Sequence, residues 1–268
     1  MQTTGQSAIE STQSTSVCKH LDVYGIRVRY KAQGSGEQVL LLHGWGSSLD
    51  SMTALFDALT PAYSVFAIDF PGHGKSELPP ERWGVCDYTD CLLQVMDALG
   101  LERPHVLAHS FGGRVAIRLA KYHHTRVNKM ILVDSAGVRP RRPLKSYFKI
   151  ALAKTGKFSA KFGGRAGKAL RDYIYSRVGS KDYVSAGPLR DTFVRVVNED
   201  QTEMLADVLA PTLLVWGAQD RDTPIESAKV MAELIPNASL VVMDNAGHYS
   251  FLDQPHKFNL IVKKFLRS

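Results

Sequence analysis

Strand-length apolar runs alternate with helix-forming segments along most of this chain, and the alternation restricts the fold more than any other feature. QVLLLHG, YSVFAID, HVLAH, KMILVDS, PTLLVWG and SLVVMD are short, nearly continuous apolar runs. Runs of that kind fit strands buried on both faces of a sheet. Between them lie MTALFDALT, DYTDCLLQVMDALGL, FGGRVAIRLAKYH, IESAKVMAELI and PHKFNLIVKKFL, whose apolar residues recur at helical spacing. HLDVYGIRVRYKAQG comes first and alternates around Gly25, which predicts an antiparallel hairpin. The expected architecture is a mostly parallel eight-stranded sheet with helices on both faces. With 268 residues and 44% hydrophobic composition, the chain is long enough to bury such a core.

The rhythm stops after the sixth strand. From Gly137 to about Val208 no buried strand is legible, and the span reads as helical. The expected organisation is therefore a flexible N-terminal segment (1–16), a core built from 17–137 and 209–268, and a helical lid at 138–208. The lid also holds the charge. Residues 138–190 contain 14 Lys or Arg against Asp172 and Asp182, so that span carries +12 of the net +7 and the remainder carries −5. Basicity confined to one segment argues against a nucleic-acid-binding chain. Leu144, Tyr147, Phe148, Ala151 and Leu152 recur with lysines between them, as in a basic amphipathic helix. That helix either packs on the core, steers an anionic substrate or docks on an anionic membrane surface. Gly156, Gly163, Gly164 and Gly167 break the span into pieces, which suits a movable cover.

No apolar run is long enough to cross a membrane. The first residues have neither the basic start nor the apolar core of a signal peptide. Three cysteines (Cys18, Cys86 and Cys91) make no disulfide framework or zinc cluster and fit a reducing, cytoplasmic setting. No metal or organic cofactor is expected.

HVLAHSFGG places Ser110 where a strand turns into a helix. Ala108 and Gly112, two residues before and two after, leave room for a strained turn of the G-x-S-x-G type, with Ala for the first Gly. A serine there could instead be a helix cap. LLLHGWG follows a buried strand with a glycine turn, so the Trp45 N–H could join the Phe111 N–H in an oxyanion hole. WGAQDRDTP sets Asp220 just beyond another strand, and NAGHYSFLDQP sets His248 in a glycine turn after the last. Ser110, Asp220 and His248 follow the chain order of an acyl-transfer triad on such a sheet. Asp222, expected on the rim, and Asp134, also at a strand end, are the rival acids. His43, His109 and Tyr249 lie beside the glycine turns or the serine and are candidate substrate contacts.

These segments, together with DFPGHGKS (Asp69–Ser76), resemble the α/β-hydrolase superfamily across residues 21–266. The resemblance implies a serine hydrolase without a cofactor, with His73 in a structural turn. The expected reaction is cleavage of a carboxylic ester, thioester or lactone through an acyl-Ser110 intermediate. Ser110-x-Gly-Gly-Arg114 also resembles the menaquinone-pathway enzymes that eliminate pyruvate from a carboxylated precursor. Arg114 lies one helical turn beyond Ser110, so it either pairs with a neighbouring carboxylate or meets a substrate carboxylate. A lyase or carbon–carbon hydrolase is thus the alternative reaction, and a slow-turnover receptor of the same fold is the alternative class. Carbon–carbon hydrolases for aromatic dienoates usually carry a lid tryptophan. Trp45, Trp83 and Trp216 all lie outside 138–208.

Overall fold

The computed structural model describes residues 17–138 and 185–268. Eight strands form one sheet in the order β1-β2-β4-β3-β5-β6-β7-β8. β1 (Lys19–Val23) and β2 (Ile26–Gln33) make the hairpin, with Val23 opposite Ile26, and β2 also runs antiparallel to β4 (Ser64–Ile68). β3 (Gln38–Leu42), β4, β5 (His105–His109), β6 (Met130–Val133), β7 (Thr212–Gly217) and β8 (Ala238–Met243) are parallel. The mostly parallel sheet expected from the apolar runs is present.

Alternate residues of each run feed different cores. Leu40, Leu42, Val106, Ala108, Leu132 and Trp216 face one side, against α2 (Val85–Ala98), α3 (Phe111–Tyr122) and α5 (Ile225–Leu234). Val39, Leu41, Leu107, Ile131, Val133 and Val215 face the other, against α1 (Thr53–Leu59) and α7 (Pro255–Arg267). Burying each such side chain contributes roughly 1.5–3 kcal/mol, which is why runs with no polar face fold as central strands.

The described part of 138–208 includes α4 (Arg190–Asn198) and a 3-10 turn at Thr202–Asp207. α4 turns Phe193 and Val196 inward. Gln201 N–H donates to the Gly137 carbonyl at 2.9 Å and joins this segment to the end of the preceding one. The expected N-terminal segment, the basic helix at 144–152, the lid glycines and the lid surface proposed to meet a membrane all lie outside the described residues. Among the described residues, no helix is long and apolar enough to cross a membrane.

α3 packs very close to the end of β3. A Cβ on Gly112 would lie 2.6 Å from the Leu42 carbonyl oxygen and 2.9 Å from that of His43. Both are backbone atoms, so the clash would have to move the helix or the strand. Gly112→Ala should lower the unfolding free energy by roughly 1–3 kcal/mol in urea titration. An unchanged midpoint would show that the helix does not approach this closely.

Candidate active site

Ser110 sits between β5 and α3 with φ 50° and ψ −111°. The left-handed region is unfavourable for a residue with a Cβ and is held only by its surroundings. The Ser110 N–H donates to the Val133 carbonyl at 3.1 Å, and the Ala136 N–H donates to the Ser110 carbonyl at 3.0 Å. The hydroxyl does not cap α3. It instead lies 3.0 Å from His248 Nε2.

His248 occupies the turn between β8 and α6 (Ser250–Asp253). Its Nδ1 lies 2.9 Å from Asp220 Oδ2. Asp220 follows β7, and its Oδ1 accepts from the N–H groups of Asp222 at 2.8 Å and Thr223 at 3.0 Å. The Thr223 hydroxyl lies 2.6 Å from Asp220 Oδ2. Burial disfavours charge on His248, but the bond to Asp220 and its negative charge outweigh this and raise the imidazole pKa. Burial likewise works against an ionised Asp220. The bonds from His248 and Thr223 prevail and lower its pKa. The two shifts agree in describing a carboxylate that favours a protonated imidazole beside it. Thr223 was not singled out in the sequence, although the Asp220–Thr223 spacing is that of a carboxylate folded back on its own turn.

The rival acids do different work. Asp134, fully buried with φ 45°, accepts from the Gly217 N–H at 2.7 Å and the Ser250 N–H at 3.0 Å. Burial pushes its carboxyl up to about 6 against those bonds. Asp222 stands at the mouth of the pocket. The possible metal-ligating atoms of Asp220, Asp222 and His248 lie within 4.8 Å of one another. A cation there would compete with the Asp220–His248 bond.

A cavity of about 370 Å³ opens over Ser110 and His248. Trp45, Phe111, Val138, Phe193, Val196 and Val197 supply apolar walls, while Arg114, Thr223 and Ser227 supply polar ones. A larger surface hollow of about 550 Å³ beside Arg82 and Arg195 contains none of these groups. Trp45 and Phe111 meet edge to face, with ring centroids 5.3 Å apart. Among the described residues, neither of their main-chain N–H groups donates to a backbone carbonyl. α4 contributes wall residues that the sequence reading did not name, although TFVRVV has the spacing of a half-buried helix.

Of the expected substrate contacts, only Arg114 lines this cavity. Its guanidinium donates to the Glu199 main-chain carbonyl at 2.5 Å. His43 is wholly buried: its Nδ1–H donates to the Gly44 carbonyl at 2.7 Å and its Nε2 accepts from the Phe70 N–H at 3.0 Å. With both ring nitrogens used, it ties β3 to the loop after β4. His109 donates from Nε2 to the His248 carbonyl at 2.7 Å, and Tyr249 packs on the His109 ring at 4.8 Å. His43 and His109 are buried behind the site, while Tyr249 is exposed at its surface. His73 donates from Nδ1 to the Pro71 carbonyl at 3.1 Å and stacks on Phe111, within the turn expected for it.

The alpha/beta hydrolase family model matches residues 39–259, and the chain belongs to that family. Among curated relatives, the dihydrolipoyllysine-residue acetyltransferase component of the acetoin cleaving system of Cupriavidus necator is 32% identical over 263 residues, which cover 91% of this chain and 68% of that protein. A 2-hydroxy-6-oxononadienedioate/2-hydroxy-6-oxononatrienedioate hydrolase of Pseudomonas putida is 28% identical, over 90% of this chain and 92% of that one. Among solved structures, a bacterial membrane phospholipase A is similar with a TM-score of 0.76 and 26% identity, over 94% of this chain and 86% of that one. A meta-cleavage product hydrolase from Pseudomonas fluorescens has a TM-score of 0.72 and 25% identity, over 93% and 97%.

The buried histidines make stability depend on pH. Burial lowers His43 and His109 to about 3 and His73 to about 4. The unfolded chain therefore binds more protons than the folded one below the ordinary imidazole pKa of about 6.5, and stability falls as pH falls. The raised Asp134 carboxyl opposes this and offsets one of these histidines between its unfolded and folded pKa values. Burial lowers His105 as well, so at least two remain uncompensated and the slope should reach at least about 3 kcal/mol per pH unit on the acid side of the ordinary imidazole value. Urea titrations from pH 7.5 to 5.5 would measure it, and a flat profile would show that these rings accept protons in place.

Proposed function

We propose that this protein is a cofactor-independent serine hydrolase that cleaves a carboxylic ester, thioester or lactone through an acyl-Ser110 intermediate. The observation that carries the reading is the chain of contacts from Ser110 Oγ to His248 Nε2 at 3.0 Å and from His248 Nδ1 to Asp220 Oδ2 at 2.9 Å, opening onto the cavity. His248 takes the hydroxyl proton as Ser110 Oγ bonds to the substrate carbonyl carbon. The N–H groups of Trp45 and Phe111 receive the negative charge that develops on the carbonyl oxygen. Collapse of the adduct expels the leaving oxygen or sulfur, which takes the proton from His248. Water then attacks the acyl group with His248 again as base, and the acid departs. Asp220 holds the imidazole with its proton on Nδ1 throughout.

A second reading keeps the same residues and cleaves a carbon–carbon bond in a carboxylated substrate. It is supported by the relative from Pseudomonas putida, named for that type of reaction, and by Arg114 in the cavity wall. In either reading, α4 supplies part of the cavity wall through Phe193, Val196 and Val197.

A fluorophosphonate probe should label the wild-type protein and not Ser110→Ala. Absence of labelling in the folded wild type would refute an activated serine. A panel of p-nitrophenyl esters against a ring-fission dienoate separates the two readings by their kcat/KM values. Arg114→Ala should abolish turnover of the anionic dienoate and spare neutral esters if the second reading holds. Rapid multiple turnover of either substrate would dispose of the receptor alternative.

The acid limb of kcat/KM should lie above the ordinary imidazole value, because His248 must be neutral to act and Asp220 raises its pKa. Asp220→Asn should move that limb to lower pH and reduce kcat by about 10⁴-fold. A limb that stays in place would show that Asp220 does not set the charge on His248.

A further inference from the structure

We propose that Asp134 is a positioning residue, whose carboxylate ties the loop bearing Asp220 to the loop bearing His248 and so keeps the imidazole aligned with Ser110. The inference rests on the reading of Ser110, His248 and Asp220 as a triad. These residues come from separate strand ends. The β7–β8 ladder and the bond from the Gln219 N–H to the Ala246 carbonyl at 2.9 Å join the bases of the last two loops, and Asp134 adds a side-chain tie between them from the neighbouring strand. One oxygen receives the Gly217 N–H at 2.7 Å, three residues before Asp220. The other receives the Ser250 N–H at 3.0 Å, two residues after His248.

The same short segment also holds the turn at Ser110. Val133 accepts from the Ser110 N–H, and Ala136 donates to the Ser110 carbonyl. The Asp134 N–H continues the ladder to Val215 at 3.0 Å. Residues 133–136 thus touch all three parts of the site. A carboxylate suits the place because it is acceptor-only, and two main-chain N–H groups are aimed at it. Asparagine would keep one acceptor and set an NH₂ group against the other N–H. With both oxygens so engaged, Asp134 acts on the reaction through His248 and not as its acid partner.

The test follows the labelling of Ser110 by a fluorophosphonate in the full chain, which needs no knowledge of the natural substrate. Asp134→Asn should lower the limiting labelling rate by about 10–100-fold while leaving the probe's half-saturation concentration unchanged. The low-field proton resonance of His248 Nδ1–H should shift or vanish in the same variant while the far-ultraviolet circular dichroism is retained. Combined with His248→Ala, Asp134→Asn should cause no further loss, since its effect passes through the imidazole. Ser250→Pro provides a second variant. It removes the N–H donor, together with the Ser250 hydroxyl, at the first position of α6, where proline is tolerated, and Tyr249 before it is outside the helical region at φ −120° and ψ 55°; Ser250→Ala, which keeps the N–H, isolates the part due to the hydroxyl. Ser250→Pro should slow labelling in the same direction by a smaller factor, and it decides the matter alone if Asp134→Asn does not fold.

Unchanged labelling and an unchanged resonance would overturn the assignment. So would an equal loss on the His248→Ala background. If His248→Ala itself labels at the wild-type rate, the triad reading fails. If His248→Ala is slow while Asp134→Asn and Ser250→Pro are normal, only the positioning role fails.

Discussion

Ser110 can keep φ 50° only because the chain around it leaves no better arrangement. Gly112 presses α3 against the Leu42 and His43 carbonyls, and a Cβ on Gly113 would collide with the Ser135 hydroxyl. A Cβ on Gly44 would meet His109 and Ser110. The sheet supplies the rest: parallel strands end on one edge, and the loops that follow β3, β5, β6, β7 and β8 converge there. The turn at Ser110 is therefore a tertiary product, made by the packing of neighbours, and only its location is local.

Proton distribution around this edge is equally constrained. His43, His73 and His109 are buried where charge is disfavoured, and their ring protons are committed to carbonyls. His248 stands apart because a carboxylate lies against its inner nitrogen. The site thus surrounds one imidazole that can gain charge with others that resist it. Among like rings in close contact, such as His109 and His248 with centroids 4.9 Å apart, this separation avoids repulsion when His248 takes a proton.

The sheet was legible because central parallel strands must be apolar on both sides, and that leaves continuous runs such as VLLL and MILV. The strand-end positions of Ser110, Asp220 and His248 were legible for the same reason. What was hidden is what depends on side-chain direction. His43 and His109 stand next to glycines and the serine in sequence, yet their rings point behind the site. Asp134 looked like a rival acid because a strand end can aim a carboxylate either way, and only the tertiary placement of Gly217 and Ser250 shows its direction. Arg114 had a predictable height above Ser110, but its carbonyl partner lies 85 residues away. Spacing along a helix carries no information about such a contact.

The left-handed residues Ser110 and Asp134 follow neighbouring strands of the sheet. Each costs of order 1–3 kcal/mol relative to a relaxed backbone. That is a sizeable part of the roughly 5–15 kcal/mol by which a domain is stable. Glycine at either place would ease the backbone and remove the hydroxyl or the carboxylate in the same step. Thermal endurance and chemical capacity therefore pull this corner of the molecule in opposite directions, and a variant selected for heat resistance alone would tend to lose its site first.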